Sequence, residues 1–181
     1  METGQSRLWM LTGQRGVGKT TFCHALTSHA LLEGWQVSGI ITPVIFAGNE
    51  KVGILAESLE TGEARPLASL DRTALFDLPV GKWYFDRSVI AWGNQVIRDS
   101  IPCDLLIIDE FGPMELIRHK GWWDSVDIFD RDEYRAALVV VRPELQEVAR
   151  QTFNIAGTII VGDGRQTDQL VRDFWSKIST T

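Results

Sequence analysis

Two short stretches carry residue types whose spacing suits phosphate chemistry. The first, Gly13-Gln14-Arg15-Gly16-Val17-Gly18-Lys19-Thr20, satisfies the pattern G-x-x-x-x-G-K-[ST] without a mismatch. In that pattern the glycines let backbone N–H groups close around an anion. A helix starting there turns its N-terminus toward the same point. Lys19 is placed to reach β- and γ-phosphates, and the Thr20 hydroxyl to ligate Mg²⁺, which takes hard oxygen donors. Gly13, Gln14, Arg15, Gly16, Val17, Gly18, Lys19, Thr20 and the adjoining Thr21 are therefore the expected nucleotide-binding residues.

The second stretch is Leu105-Leu106-Ile107-Ile108-Asp109-Glu110, an apolar run ending in two acids. It reads as a Walker B strand. Asp109 is expected to hold Mg²⁺ with Thr20, at a strand C-terminal end, where open α/β sheets bind ligands. Glu110 is expected to orient or deprotonate the water that attacks the γ-phosphate. Lys19 and Glu110 are thus the expected catalytic residues.

Other residues are less decided. Glu115 reads either as an acid supporting the site or as an exposed helix-start residue suited to the dipole. Stabilising γ-phosphate charge usually takes a further cation. Arg142 ends a core strand at the right edge of the sheet, Arg15 sits in the loop, and Lys82 and Arg87 flank an aromatic strand. Each alone reads as a surface cation. Arg131 and Arg135 share a helix face if that segment is helical, with Arg118 and Lys120 nearby, which makes a lid or a solvated loop. Trp83, Trp92, Trp122 and Trp123 are large enough to stack on a base. Trp92 reads as core. His24 and His29 read as structural.

These residues need a scaffold, and the chain supplies one. The run Leu8 to Leu11 reads as a strand before the loop, and Thr20 to Leu32 as a helix after it, with Gly34 as its stop. Gln36 to Thr42 is a second strand. Lys51 to Leu59 and Ala64 to Ala68, joined by a turn at Glu60 to Glu63, read as an antiparallel extension. Ser69 to Pro79 reads as a loop, Gly81 to Asp86 as an aromatic strand, and Arg87 to Asp99 as a helix. Ala136 to Val141 is a buried strand, Pro143 starts a helix to about Gln151, Ile155 to Val161 is a last strand, and Gln166 to Ile178 a closing helix. The expected fold is α/β: a mainly parallel sheet with helices on both faces and an antiparallel hairpin extension, one domain over residues 1–181.

Composition sets outer bounds. The chain has 181 residues, 44% hydrophobic and 23% charged, which suits one globular core. A net charge of −6 with no basic run argues against a nucleic-acid partner. Residues Met1 to Arg7 carry no apolar signal core, and no stretch is long enough to span a bilayer, so a cytoplasmic protein without membrane contact is expected. Cys23 and Cys103 are isolated and read as buried thiols in a reducing compartment.

Several segments together resemble the small P-loop NTPases typified by the THEP1 nucleoside-triphosphatases. They are Leu11 through Thr21, Ser38-Gly39-Ile40-Ile41-Thr42 with Val52-Gly53, Val80 to Asp86, and Ile107 through Leu116. The chain departs at Gly162-Asp163-Gly164-Arg165, where that family commonly shows an Asn/Arg-rich signature. The resemblance implies slow Mg²⁺-dependent hydrolysis of nucleoside 5′-triphosphates such as ATP or GTP, with loose base preference, and puts Lys19, Thr20, Asp109 and Glu110 at the family's positions. The same residues would also serve a nucleotide or small-molecule kinase, or a nucleotide-binding switch or assembly subunit. Guanine specificity is not indicated, because no N-K-x-D motif occurs.

Overall fold

A computed structural model describes residues 6–131 and 133–180. The first five residues of the stretch read for an export signal, and Asp132 of the possible lid, lie outside the described residues. Five parallel strands form the centre: β1 (Leu8–Thr12), β2 (Val37–Ile41), β8 (Cys103–Phe111), β9 (Tyr134–Val141) and β10 (Gly157–Ile160). They stand in the order β10-β1-β9-β8-β2. The antiparallel extension continues past β2 through β4 (Glu50–Ser58), β5 (Ala64–Ser69), β7 (Trp83–Asp86) and β6 (Phe76–Val80), while β3 (Val44–Ala47) pairs with β4.

Strand alternation divides the core. Leu105 and Ile107 of β8 join one apolar cluster, and Leu106 and Ile108 the other. On the first face lie α1 (Lys19–Leu32), through Phe22, Cys23, Leu26 and Ala30, and α5 (Thr167–Ile178), through Leu170, Val171, Phe174 and Ile178. The second face packs α2 (Arg87–Asp99), the short α3 (Pro113–Leu116), a 3₁₀ segment over Gly121–Asp130 and α4 (Gln146–Thr152). A strand covered on both sides must be apolar at every position, which is why β8 and β9 read as unbroken runs. Among the described residues no helix is long and apolar enough to cross a membrane.

The helix ends follow local chemistry. α1 stops in a Schellman arrangement, with the Gly34 and Trp35 N–H groups donating to the Leu31 and Ala30 carbonyls. α2 starts on Asp86, whose carboxylate accepts from the Ser88 and Val89 N–H groups at 2.8 and 3.4 Å.

Several local expectations need correction. The stretch read as a loop from Ser69 to Pro79 contains β6 from Phe76, and Pro79 is accommodated because β6 is the sheet edge. β3 is a further strand between the expected second strand and the extension, pairing antiparallel with β4. Pro143 opens a 3₁₀ turn, and the α-helix begins three residues later at Gln146. Arg131 and Arg135 do not share a helix, since Arg135 lies in β9. Trp92 is only partly buried, with the Arg65 guanidinium 4.4 Å from its ring centroid. Both cysteines are free and buried. Burial raises the Cys23 thiol pKa well above its ordinary value and pushes Cys103 up to about 12.

Candidate nucleotide-hydrolysis site

The site lies at the carboxyl ends of β1, β9 and β8, three neighbouring strands. The loop after β1 wraps tightly. A Cβ at Gly13 would lie 2.5 Å from the Val161 carbonyl oxygen and 2.9 Å from Val17 Cγ2, so only glycine fits. Gly18, with φ 99°, turns the chain into α1, and no side chain caps that helix. An uncapped N-terminus keeps N–H donors available to an anion. Gln14, Arg15, Gly16 and Thr21 are exposed, whereas Val17, Gly18, Lys19 and Thr20 are half-buried.

Lys19 is folded back over the loop. Its Nζ donates to the Gly13 carbonyl at 2.8 Å and to the Gln14 carbonyl at 3.0 Å. Partial burial lowers its pKa, an effect opposed by the Glu110 and Asp109 carboxylates.

Asp109 is buried at the end of β8, and its Oδ2 collects three donors. The Thr20 hydroxyl reaches it at 2.9 Å; the Thr42 N–H and hydroxyl each reach it at 3.3 Å. Desolvation and the neighbouring Glu110 nevertheless raise its pKa to about 6. A buried carboxylate that three hydrogen bonds do not fully compensate is a good seat for a cation. Among the described residues no three His, Cys, Asp or Glu side chains form a metal cage. The donors here are one carboxylate and hydroxyls, which fit Mg²⁺ shared with phosphate oxygens and water.

Glu110 departs from the strand. Ile108 pairs with Val139 and Phe111 with Val141, so β8 spends two residues, Asp109 and Glu110, against one. This bulge puts Glu110 at φ 64°, uncommon for a side-chain-bearing residue. Its Oε2 accepts from Arg142 Nη2 at 3.0 Å. A cleft of about 260 Å³ opens at Arg142, lined by Gly13, Gln14, Arg15, Arg142, Pro143 and Glu144.

Glu115 is not an exposed helix-start residue. It is buried, and accepts from the Gly112 N–H at 2.9 Å and the Trp122 N–H at 3.3 Å. Burial pushes its pKa up to about 7. It thereby ties the turn after the bulge to the 3₁₀ segment.

Other expected candidates are occupied elsewhere. Arg131 pairs with Asp127, and Arg135 lies over Trp35 and near Asp104. Trp122 is core, and Trp123 stacks on His119 at 4.1 Å. Lys82 sits over Trp83, and Arg87 pairs with Asp77. His24 is exposed, and His29 packs edge-on against Trp175. Thr42 escaped notice because a lone threonine after a strand carries no signal of its own.

Comparison with known proteins bears on the family and the fold. A family model described as NTPase matches residues 9–158. The chain is 36% identical over 108 residues to nucleoside-triphosphatase THEP1 of Thermococcus kodakarensis, covering 58% of this chain and 60% of that protein. It is 30% identical over 149 residues to nucleoside-triphosphatase THEP1 of Caldivirga maquilingensis, covering 82% of each. The match thus spans about 60% of the first relative's length, and more of the second's. The solution structure of a human cancer-related nucleoside triphosphatase superposes with a TM-score of 0.74 over 97% of this chain and 99% of that one, at 21% identity. That likeness concerns the fold, a P-loop NTPase α/β sheet.

Proposed function

This chain belongs to the NTPase family, and from its site we propose that it hydrolyses nucleoside 5′-triphosphates to diphosphate and phosphate. The observation that carries the reading is the junction of Thr20 with Asp109 at the foot of an intact phosphate loop, with Glu110 the next residue along. A hydroxyl that gives its hydrogen to Asp109 keeps its lone pairs for a cation. Thr20 and Asp109 would therefore hold Mg²⁺, which when bound neutralises phosphate charge.

The backbone from Gly13 to Lys19 cradles the phosphates, with Gln14, Arg15, Gly16, Val17, Gly18 and Thr21 around them. Lys19 exchanges its two carbonyl contacts for phosphate oxygens. Glu110 takes a proton from water as the water oxygen bonds to the γ-phosphorus. The bond from that phosphorus to the β–γ bridging oxygen breaks, and the diphosphate leaves. Most of the rate comes from positioning and charge, since phosphoryl transfer asks little covalent chemistry of the protein. No base-reading motif restricts the nucleotide, in keeping with loose base preference. A cytoplasmic location suits a Mg²⁺-nucleotide substrate and two free thiols.

The test is a turnover assay on several nucleoside triphosphates with Mg²⁺, with and without hydroxyl acceptors. Free phosphate and diphosphate in the absence of acceptor are expected. Phosphorylated acceptor without free phosphate would identify a kinase. Tight nucleotide binding without either product would identify a switch.

A further inference from the structure

Arg142 stands between the two halves of the site. It follows β9, the strand between β1 and β8, so it borders both the phosphate loop and the acid bulge. Its Nη2 meets Glu110 Oε2 at 3.0 Å, and its side chain also lines the cleft with Gly13, Gln14 and Arg15. Its charge reaches Lys19, where it contributes to the lowered pKa. The Arg142 side chain is 25% exposed and that of Glu110 41%, so the pair is neither sealed in the core nor loose in solvent.

Two consequences follow. The carboxylate meant to direct water is held by a cation. That cation also stands beside the loop that wraps the phosphates. A guanidinium offers five donors in a planar fork, suited to carboxylate and phosphate alike, and its contact with Glu110 runs through Nη2. A terminal phosphate carries more negative charge than one carboxylate and competes for the same fork.

Resting on the reading of the chain as a nucleoside-triphosphatase, we propose that Arg142 is a γ-phosphate-recognising residue that holds Glu110 until a triphosphate displaces it. A triphosphate draws the guanidinium away and frees Glu110 for water. A diphosphate, one phosphate shorter, leaves the pair intact. Release of phosphate restores the pair, so the water-directing group is assembled only when there is a γ-phosphate to attack. Glu144, in the same cleft, adds a negative wall that makes entry of an anion depend on Arg142 and its cationic neighbours.

The test is binding, read by calorimetry with Mg²⁺. The probes are a non-hydrolysable nucleoside triphosphate analogue and the matching diphosphate, on wild type, Arg142→Ala, Glu110→Gln and the double variant. Losing a charge-assisted contact costs at least about tenfold in affinity. Arg142→Ala should lose that much for the triphosphate analogue and stay within about twofold for the diphosphate. Glu110→Gln removes the competitor, so triphosphate affinity should rise about threefold or more, and the double variant should erase that gain. Diphosphate binding and the unfolding midpoint show that each variant is folded. Arg142→Lys keeps the charge without the fork, and should fall between wild type and Arg142→Ala.

A triphosphate-to-diphosphate preference unchanged in Arg142→Ala overturns the inference alone, provided the wild type binds and hydrolyses. A Glu110→Gln gain that persists without Arg142 overturns it as well. A wild type that binds neither probe removes the nucleoside-triphosphatase reading itself, and this inference with it.

Discussion

The Thr20 hydroxyl, in the first turn of α1, donates to Asp109 Oδ2 across 2.9 Å, joining residues 89 apart in the chain. The contact locks the phosphate loop to the end of β8. It also leaves a carboxylate in the interior whose pKa stands near 6, chiefly through desolvation. Asp109→Asn keeps an acceptor oxygen for the threonines but removes the charge. Turnover with Mg²⁺ should fall by about 100-fold or more. In chelator above pH 7 the same variant should be more stable than wild type, by up to about 2 kcal/mol, because a buried uncompensated charge is gone. Urea midpoints in chelator measure this. A less stable variant would mean that the charge itself anchors the fold.

Glu110 is the residue on which hydrolysis is proposed to depend. Glu110→Gln retains shape and hydrogen-bonding capacity but cannot take a proton. Phosphate release should fall by about two orders of magnitude or more, with Mg²⁺-nucleotide binding retained. Unchanged phosphate release in that variant would remove the role given to this carboxylate. Steady-state turnover and single-turnover rates distinguish lost chemistry from slowed product release.

The buried acids set a pH dependence with a definite sign. Glu115 titrates near 7 in the folded chain, and a free glutamate near about 4.3. Between those values the folded state keeps a proton that the unfolded state has lost. Stability therefore declines as pH rises through this window, by up to about 1.4 kcal/mol per unit for one group. Asp109, raised to about 6, acts in the same direction. In chelator, wild-type stability should be higher at pH 5 than at pH 7.5. Glu115→Gln loses an acceptor for Gly112 or Trp122, so it should be weaker at pH 5 yet fall less steeply above it. A wild-type stability that rises over this range would contradict the buried placement of both carboxyls.

The parts of this site that were legible in sequence are those fixed by local chemistry. Gly13 to Thr20 wraps tightly between β1 and α1, with Gly13 against the Val161 carbonyl and Gly18 at φ 99°, so its glycines stand at set offsets. Leu105 to Ile108 must be apolar throughout because β8 is covered on both faces. The bulge was not legible, because an extra residue at Asp109 and Glu110 leaves the apolar pattern before it unchanged. Nor was the meeting of Arg142 with Glu110, which depends on β9 lying between β1 and β8. Glu115 was ambiguous for a related reason. A glutamate three residues after Gly112 suits an exposed helix start, and only the approach of Gly121 and Trp122 buries it. The polar stretch from Ser69 to Pro79 read as a loop, and the edge position that lets β6 include Pro79 is a property of the whole sheet.

The packing behind the acid turn makes a prediction that needs no ligand. Gly93 of α2 faces Trp122, and a Cβ there would lie 2.3 Å from Trp122 Cζ3 and 2.9 Å from Ile40 Cδ1. An alanine in a helix interior gains up to about 1 kcal/mol in propensity over glycine. Overpacking a filled core costs about 1–3 kcal/mol, and the buried indole is rigid, so it cannot simply swing aside. Gly93→Ala should therefore be destabilising by about 1–2 kcal/mol on balance, read as a lower urea midpoint with an unchanged slope. Trimming the ring with Trp122→Leu in the same chain should recover part of the clash, so the two changes should be non-additive. Because the Trp122 N–H also donates to Glu115, the strain has a route to the turn after Glu110. Additive effects of the two changes, or a Gly93→Ala protein as stable as wild type, would contradict the close contact between α2 and the 3₁₀ segment.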